Sequence, residues 1–555
     1  MKTNKIASIV LLTTLLTGAC VQKPIEPTPP VGPPIENPNP GSASFTKFVA
    51  VGDSYVAGMQ AGALFDAGQA NSIPKIMATQ FATVGGGAFN QPDINHPNGF
   101  NATFSSVPTA IRGRLVLFDP DGSVDPDGSG CQVSRSAAPR AANTPASTST
   151  CPSTVNTPAM PAPYNSAQSP LDPGFVFAGN KATLNNFGVP GAKLIHAGVP
   201  NYGTLNPLYG RFASNPAAKP IITDAAEKAG SFFLFSFGAF DILNYATTGA
   251  SASNNGVGNN DMTPSATFAG AYGATLGALL LDPNAKGVVT TVPDITTLPY
   301  FTTVAWNAVE FKSTNCTDAA TLALLNGMTG FGGYNAALDG LVAAMVITAE
   351  EAAKRKVVYA YGKNGILIKD ETLADLGAVL GGINPALAPY GQIRQAKSTD
   401  LITLAAGGIL GTCGIPPGGT TPSPLWVFGV SAPLDDNFVL LPTEITDIQA
   451  RTVDFNNTIK AAATAASGRV AVADLYQAYM DLLTNKVYVA NGVTITPSFA
   501  PPAGMFSEDG IHPNSRGAAF TANVVIEAIN TAFSAKIPKA SLALYPGTGL
   551  PVNGQ

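Results

Sequence analysis

Charge is scarce in this chain. Its 555 residues carry 30 Lys and Arg against 35 Asp and Glu, 12% charged in all, where an average domain has about 25%. The net charge is −5. No basic field exists to gather nucleic acid, so that class of partner is excluded. Histidine is rarer still, with three residues, which narrows any search for a general base. The five cysteines include no CxxC pair and none lies near a His, which argues against a zinc site or thiol redox chemistry. Past the first twenty residues no run reaches about 18 apolar residues, so no further membrane span is expected. No internal repeat is found. What is abundant is Gly (57) and Pro (46). They predict many loops, with a surface kept soluble by Ser, Thr and Asn.

The chain opens MKTNKIASIVLLTTLLTGAC. Lys2 and Lys5 precede an apolar run from Ile6 to Leu16, and Thr17-Gly18-Ala19 lead to Cys20. This reads as a secretory signal over residues 1–19, too short for a spanning helix. A cysteine directly after small residues resembles a bacterial lipobox, although Thr17 stands where the usual Leu would be. Lipidation of Cys20 is the expectation, as the sole membrane attachment. Val21 is not the Asp that retains some lipoproteins at the inner membrane, so the outer membrane is the expected destination. Residues 20–45 are Pro-rich and read as an extended tether, roughly 3 Å per residue. Four cysteines remain: Cys131, Cys151, Cys316 and Cys413. An even count in an exported chain favours two disulfides. Three connectivities are possible; 131–151 with 316–413 closes the shortest loops.

Five apolar or β-branched runs suit buried parallel strands: residues 48–51, 182–187, 232–237, 287–292 and 469–475. Residues 445–466 and 515–535 show helical spacing. The alternation predicts an α/β fold, a doubly wound, flavodoxin-like, mostly parallel sheet of about five strands. The domain is expected over residues 46–540, with long insertions at 90–180 and 295–443 and a tail at 541–555. Within the first insertion, DPDGSVDPDGSG (119–130) alternates carboxylates with turn glycines. It lacks the spacing and terminal Glu of a calcium loop and reads as solvated turns. Within the second, residues 357–370 read as a hairpin turning at Lys363-Asn364-Gly365.

The chemistry centres on KFVAVGDSYVAG, residues 47–58. An apolar strand ends in Gly52-Asp53-Ser54. A serine nucleophile needs a base and a group to orient that base. His96 lies in a loop and His196 follows GAKLI. His512 lies in SEDGIHPNSRG (507–517), with Asp509 three residues earlier. A DxxH pair on a short loop lets the carboxylate reach Nδ1 while Nε2 points outward. The loop directly precedes the last amphipathic helix. Each piece alone has a plainer reading: a turn serine, a structural histidine, a loop-capping aspartate. Their joint placement is the stronger signal.

Together these residues resemble the GDSL or SGNH hydrolases, α/β enzymes that cleave esters. The first block matches at Ser54, with Tyr55 in place of Leu; the last, DxxHP, matches at Asp509, His512 and Pro513. NFGVPGAK (186–193) is similar to the second block and puts its oxyanion glycine at Gly191. The resemblance runs from about 46 to 537. It looks closest to the large lipoprotein members of Bacteroides-type bacteria, which show runs comparable to residues 57–81 and 210–214. The third block, GxND, falls on SFGAFDILNY (236–245): Gly238 and Asp241 match, but Phe240 holds the Asn position. Phenylalanine has no donor. The oxyanion would be left to the backbone N–H groups of Ser54 and Gly191, and a lost donor typically costs about 10²–10³ in rate. Asn244, one helical turn on, is a second candidate donor; Phe240 could instead floor an acyl pocket.

The resemblance implies hydrolysis of a carboxylic ester, with no metal or organic cofactor; a monomer is the expectation. Two other readings stay open. One is a binding lipoprotein on the same fold, its site degenerate, holding a lipid, an acylated glycan or a protein. The other is a surface assembly component using the two insertions as an interaction face.

Overall fold

The computed structural model describes residues 37–100, 113–119, 160–163, 174–315, 317–548 and 552–553. The signal segment, Cys20, most of the Pro-rich stretch, the doubled DPDGS and cysteines 131, 151 and 316 lie outside the described residues. Cys413 is disulfide-bonded.

The centre is a five-stranded, wholly parallel sheet. Its strands are β1 (Phe48–Gly52), β2 (Asn186–Gly188), β3 (Phe232–Ser236), β4 (Lys286–Thr290) and β5 (Val470–Ala473). Their spatial order is 5-4-3-1-2. This is the doubly wound order that reverses direction between β1 and β3. Successive side chains of β3 point to opposite faces. Phe232 meets Phe81 of α2 (Ile73–Phe81) and Phe533 of α6 (Ser515–Phe533), at 5.8 and 5.9 Å between ring centroids. Phe235 meets Tyr272 of α4 (Ser265–Leu279) at 4.8 Å. On that second face, Phe268 stacks on Phe455 of α5 (Pro442–Ala465) at 3.7 Å. Helices therefore cover both faces, and each fully buried ring contributes roughly 1.5–3 kcal/mol by leaving water. That is why these strands read as continuous apolar runs.

Several expectations need correction. The run at 182–187 is mostly not strand: Lys181–Thr183 is a 3₁₀ turn and pairing begins at Asn186. Asparagine side chains compete for the backbone there. Asn180 caps Ala182 N–H at 2.9 Å, and Asn185 takes Asn90 N–H at 2.9 Å and gives to Phe48 O at 2.9 Å. The hairpin at 357–370 does not form. Gly362–Asn364 pairs with Val309–Phe311, and Leu367–Lys369 with Ile393–Gln395. Asn364 folds back onto Ala360, accepting its N–H and donating to its O. Ile366, Leu367 and Ile368 are fully buried, more cover than a two-stranded hairpin gives.

The packed body also begins before residue 46 and ends after 540. Ser42 N–H donates to Phe533 O, and Phe45 stacks on Phe81 at 4.2 Å. Beyond 540, Leu542 is fully buried and Thr548 Oγ1 donates to Phe506 O at 2.7 Å. Apolar residues at both ends thus belong to the core rather than to a tether or tail. The 295–443 insertion carries helices Asp318–Asn326, Phe331–Ala343 and Ala349–Arg355. It is tied by buried Arg394, held between Asp370 and a bidentate Asp400. It joins the same core cluster as the sheet.

Candidate functional site

In an open α/β sheet, ligands settle beyond the carboxyl ends of the strands where the order reverses. Here that is the gap between β1 and β3. β1 ends at Gly52, whose added Cβ would lie 2.3 Å from Ser236 O and 2.4 Å from Val56 Cγ2. Glycine is required for the chain to turn this closely against β3. Asp53 then caps a single turn, α1 (Ser54–Ala57), by accepting Tyr55 N–H at 3.0 Å. Ser54 is thereby set at the start of that turn, above the sheet.

The histidine comes from the other end of the chain. In the 507–513 loop, Ser507 N–H donates to His512 O at 2.8 Å and Gly510 N–H to Ser507 O at 2.9 Å. Gly510 has φ +70, and an added Cβ would lie 2.7 Å from Tyr300 N. Asn514 closes the loop: Oδ1 caps α6 at Gly517 N–H (2.9 Å) and Nδ2 donates to Gly504 O at 2.8 Å.

These two pieces meet. Ser54 Oγ lies 2.7 Å from His512 Nε2, and His512 Nδ1 lies 2.7 Å from Asp509 Oδ2. All three residues are buried. Burial pushes the Asp509 carboxyl up, but His512 and the N–H groups of Ile511 and His512 outweigh it and hold it below its ordinary value. An ionised Asp509 only accepts, so Nδ1 carries the ring proton and Nε2 faces the Ser54 hydroxyl as an acceptor.

Asp509 has more partners than the sequence suggested. Oδ1 accepts from Ile511 N–H (2.8 Å), His512 N–H (2.8 Å) and Ser507 Oγ (3.1 Å), and Oδ2 from Gly62 N–H (2.7 Å). Ser507 Oγ also accepts Ala61 N–H at 2.8 Å. No local motif marks Gly62 or Ser507; their role appears only when residues 61–62 and 507–512 are brought together. Tyr55, noted only as a replacement, donates its hydroxyl to Ile511 O at 3.0 Å and lies 5.1 Å from the imidazole. Phe240, first residue of α3 (Phe240–Thr247), stacks over the same imidazole at 6.0 Å and 26°. Two aromatic rings thus pack against His512.

Gly191 lies three residues past β2, whose Gly188 is in register with Gly52. Its φ is +74. Among the described residues, neither the Ser54 nor the Gly191 N–H donates to another group. The loop that carries Gly191 is pinned by Asp241 Oδ2, which accepts Leu194 N–H at 2.8 Å. Asp241 is fully buried, and burial raises it to about 6 against the opposing Leu194 N–H, Thr263 and Lys193. Asp53 is raised to about 8, by burial first, despite the Tyr55 N–H; Asp241 adds to the rise.

Other candidates fall away from this site. Asn244 donates to Asn259 O at 3.1 Å rather than toward Ser54. His96 Nδ1 accepts the N–H groups of Asn98 and Gly99. His196 accepts Lys193 N–H and stacks on Tyr202 at 4.6 Å; burial, with Lys193 beside it, lowers it to about 4. Both are structural. Among the described residues no helix is long and apolar enough to cross a membrane. No protein-family model matches the chain, and no curated protein or solved structure does either.

Proposed function

We propose that this protein is a serine hydrolase of carboxylic esters, of the GDSL/SGNH kind. The observation that carries the reading is the unbroken Ser54–His512–Asp509 relay, with 2.7 Å at each link. Ser54 Oγ attacks the ester carbonyl while His512 Nε2 takes its proton. Asp509 fixes the tautomer and stabilises the imidazolium. The unused N–H groups of Ser54 and Gly191 suit the developing oxyanion. His512 then protonates the departing alcohol and activates water to release the acid from Ser54. No side-chain donor stands at position 240, so slow turnover is expected. On this reading the chain is exported and held by a lipid on Cys20, with the outer membrane as destination and an acyl ester, acetylated glycan or lipid as substrate.

The test is active-site labelling of the chain from Val21 onward with a fluorophosphonate, beside turnover of p-nitrophenyl acetate. Labelling and turnover are expected in the wild type and in neither Ser54→Ala nor His512→Ala. Full activity in Ser54→Ala would refute the proposal. Phe240 and the full burial of Ser54 favour a second reading, a binding protein on the same fold. That reading requires an unlabelled Ser54 in a folded wild type.

A further inference from the structure

The 295–443 insertion holds a cavity of its own, of about 470 Å³, within the range of small-molecule sites. It shares no lining residue with the Ser54 relay. One wall is aromatic. Trp426 and Phe428 are two residues apart on an extended segment, so their rings leave on the same side while Val427 between them is buried. The segment is clamped: Gly414 N–H donates to Trp426 O at 2.7 Å, Phe428 N–H to Thr412 O at 3.1 Å, and Cys413 between them is disulfide-bonded. A Cβ on Gly414 would lie 2.8 Å from the Phe428 ring and 2.9 Å from Trp426 Cδ1. Tyr390 backs Trp426 at 5.7 Å. Both rings are only partly buried, so this fixed aromatic wall faces open space.

The other wall is polar. Asp375 Oδ1 accepts Gly377 N–H at 2.8 Å and rests on Gly391, where an added Cβ would meet it at 2.2 Å. Its Oδ2 has no partner among the described residues. Gln392 Nε2 donates to Leu373 O at 2.8 Å, which leaves Oε1 for a ligand. The Asp435 carboxylate has no hydrogen bond among the described residues, and Lys369 adds an ammonium to the lining.

This combination selects its occupant by chemistry. An anion meets two carboxylates. A wholly apolar molecule strands three acceptors and a donor out of water. A ring with one apolar C–H face and a rim of hydroxyls satisfies both walls: the face on Trp426 and Phe428, the hydroxyls on Asp375, Asp435, Gln392 and Lys369. We propose that this cavity binds a neutral pyranoside, as a unit of a glycan. The inference stands independently of ester chemistry at Ser54.

The chain from Val21 onward would be titrated by calorimetry and tryptophan emission with cellohexaose, mannohexaose, xylohexaose and chitohexaose, and with tetramethylammonium. At least one hexasaccharide is expected to bind saturably, in the micromolar to millimolar range, and to shift the emission. Trp426→Ala should weaken it by about tenfold or more. Asp435→Ala, which removes an exposed carboxylate and breaks no internal bond, should weaken it several-fold at unchanged melting temperature. Turnover of p-nitrophenyl acetate should be the same in both variants, which separates failure here from failure at Ser54. No saturable binding below about 10 mM for all four sugars would overturn the proposal. So would saturation by tetramethylammonium alone, or sugar binding unchanged in Asp435→Ala and in a folded Trp426→Ala.

Discussion

Replacing Asp53 by Asn tests how the turn before Ser54 is held. Asp53 is buried and raised from an ordinary 3.8 to about 8, chiefly by burial. Between those values the folded chain keeps the proton and the unfolded chain releases it. The folded state then binds more protons, so stability falls as pH rises through the window from about 4 to about 8, and the loss is complete above it. Four units at about 1.4 kcal/mol each set a ceiling near 6 kcal/mol, and relaxation around the ionised group cuts this to about 2–3 kcal/mol. Asn keeps the oxygen that accepts Tyr55 N–H at 3.0 Å and has no charge to form. Urea unfolding of wild type and Asp53→Asn at pH 5 and pH 8.5 checks this. Because pH 5 already lies inside that window, the variant is expected to gain on the wild type by about 1–2 kcal/mol between the two pH values. Asp241, raised to about 6, titrates in both proteins and leaves a shared slope. Parallel profiles would refute the reasoning, since they mean that Asp53 is ionised in the folded protein at pH 5.

Two further outcomes follow from the site. Phe240→Asn should cost about 3 kcal/mol in thermal or urea unfolding, as a large-to-small change at a buried position. It should also raise p-nitrophenyl acetate turnover by up to about 10²-fold by supplying the absent donor; unchanged turnover in a folded variant would mean that position 240 does not reach the oxyanion. Gly510→Ala forces a left-handed residue with φ +70 and puts a methyl 2.7 Å from Tyr300 N. It should lower stability by at least about 1–2 kcal/mol and reduce turnover more than a distant change of equal stability cost, because Asp509 and His512 ride on the same loop.

Much of this was legible in the sequence, for local reasons. Ser54, Asp509 and His512 were marked by short motifs, and the β1 and β3 runs by residues with no polar face to show. Of the three histidines, His512 stands out because Asp509 precedes it by three residues. What could not be read depends on side chains that act across the fold. Asn180 and Asn185 divert the backbone ahead of β2, Asn364 dissolves a plausible hairpin, and Gly62, Ser507 and Tyr55 hold the acid–base loop through contacts more than 400 residues away in sequence. Residues 39–45 read as tether because Pro and Gly surround them, yet Ala43 and Phe45 enter the core and Ser42 N–H bonds to Phe533 O.

The contact between Ser54 and His512 spans 458 residues. Ser54 therefore leaves the ribosome 458 residues ahead of its partner. Every fragment that stops short of residue 512 lacks the imidazole that faces the Ser54 hydroxyl. On the proposed reading, a probe that labels Ser54 therefore counts only chains that extend through residue 512 and have closed β1 onto the 507–513 loop.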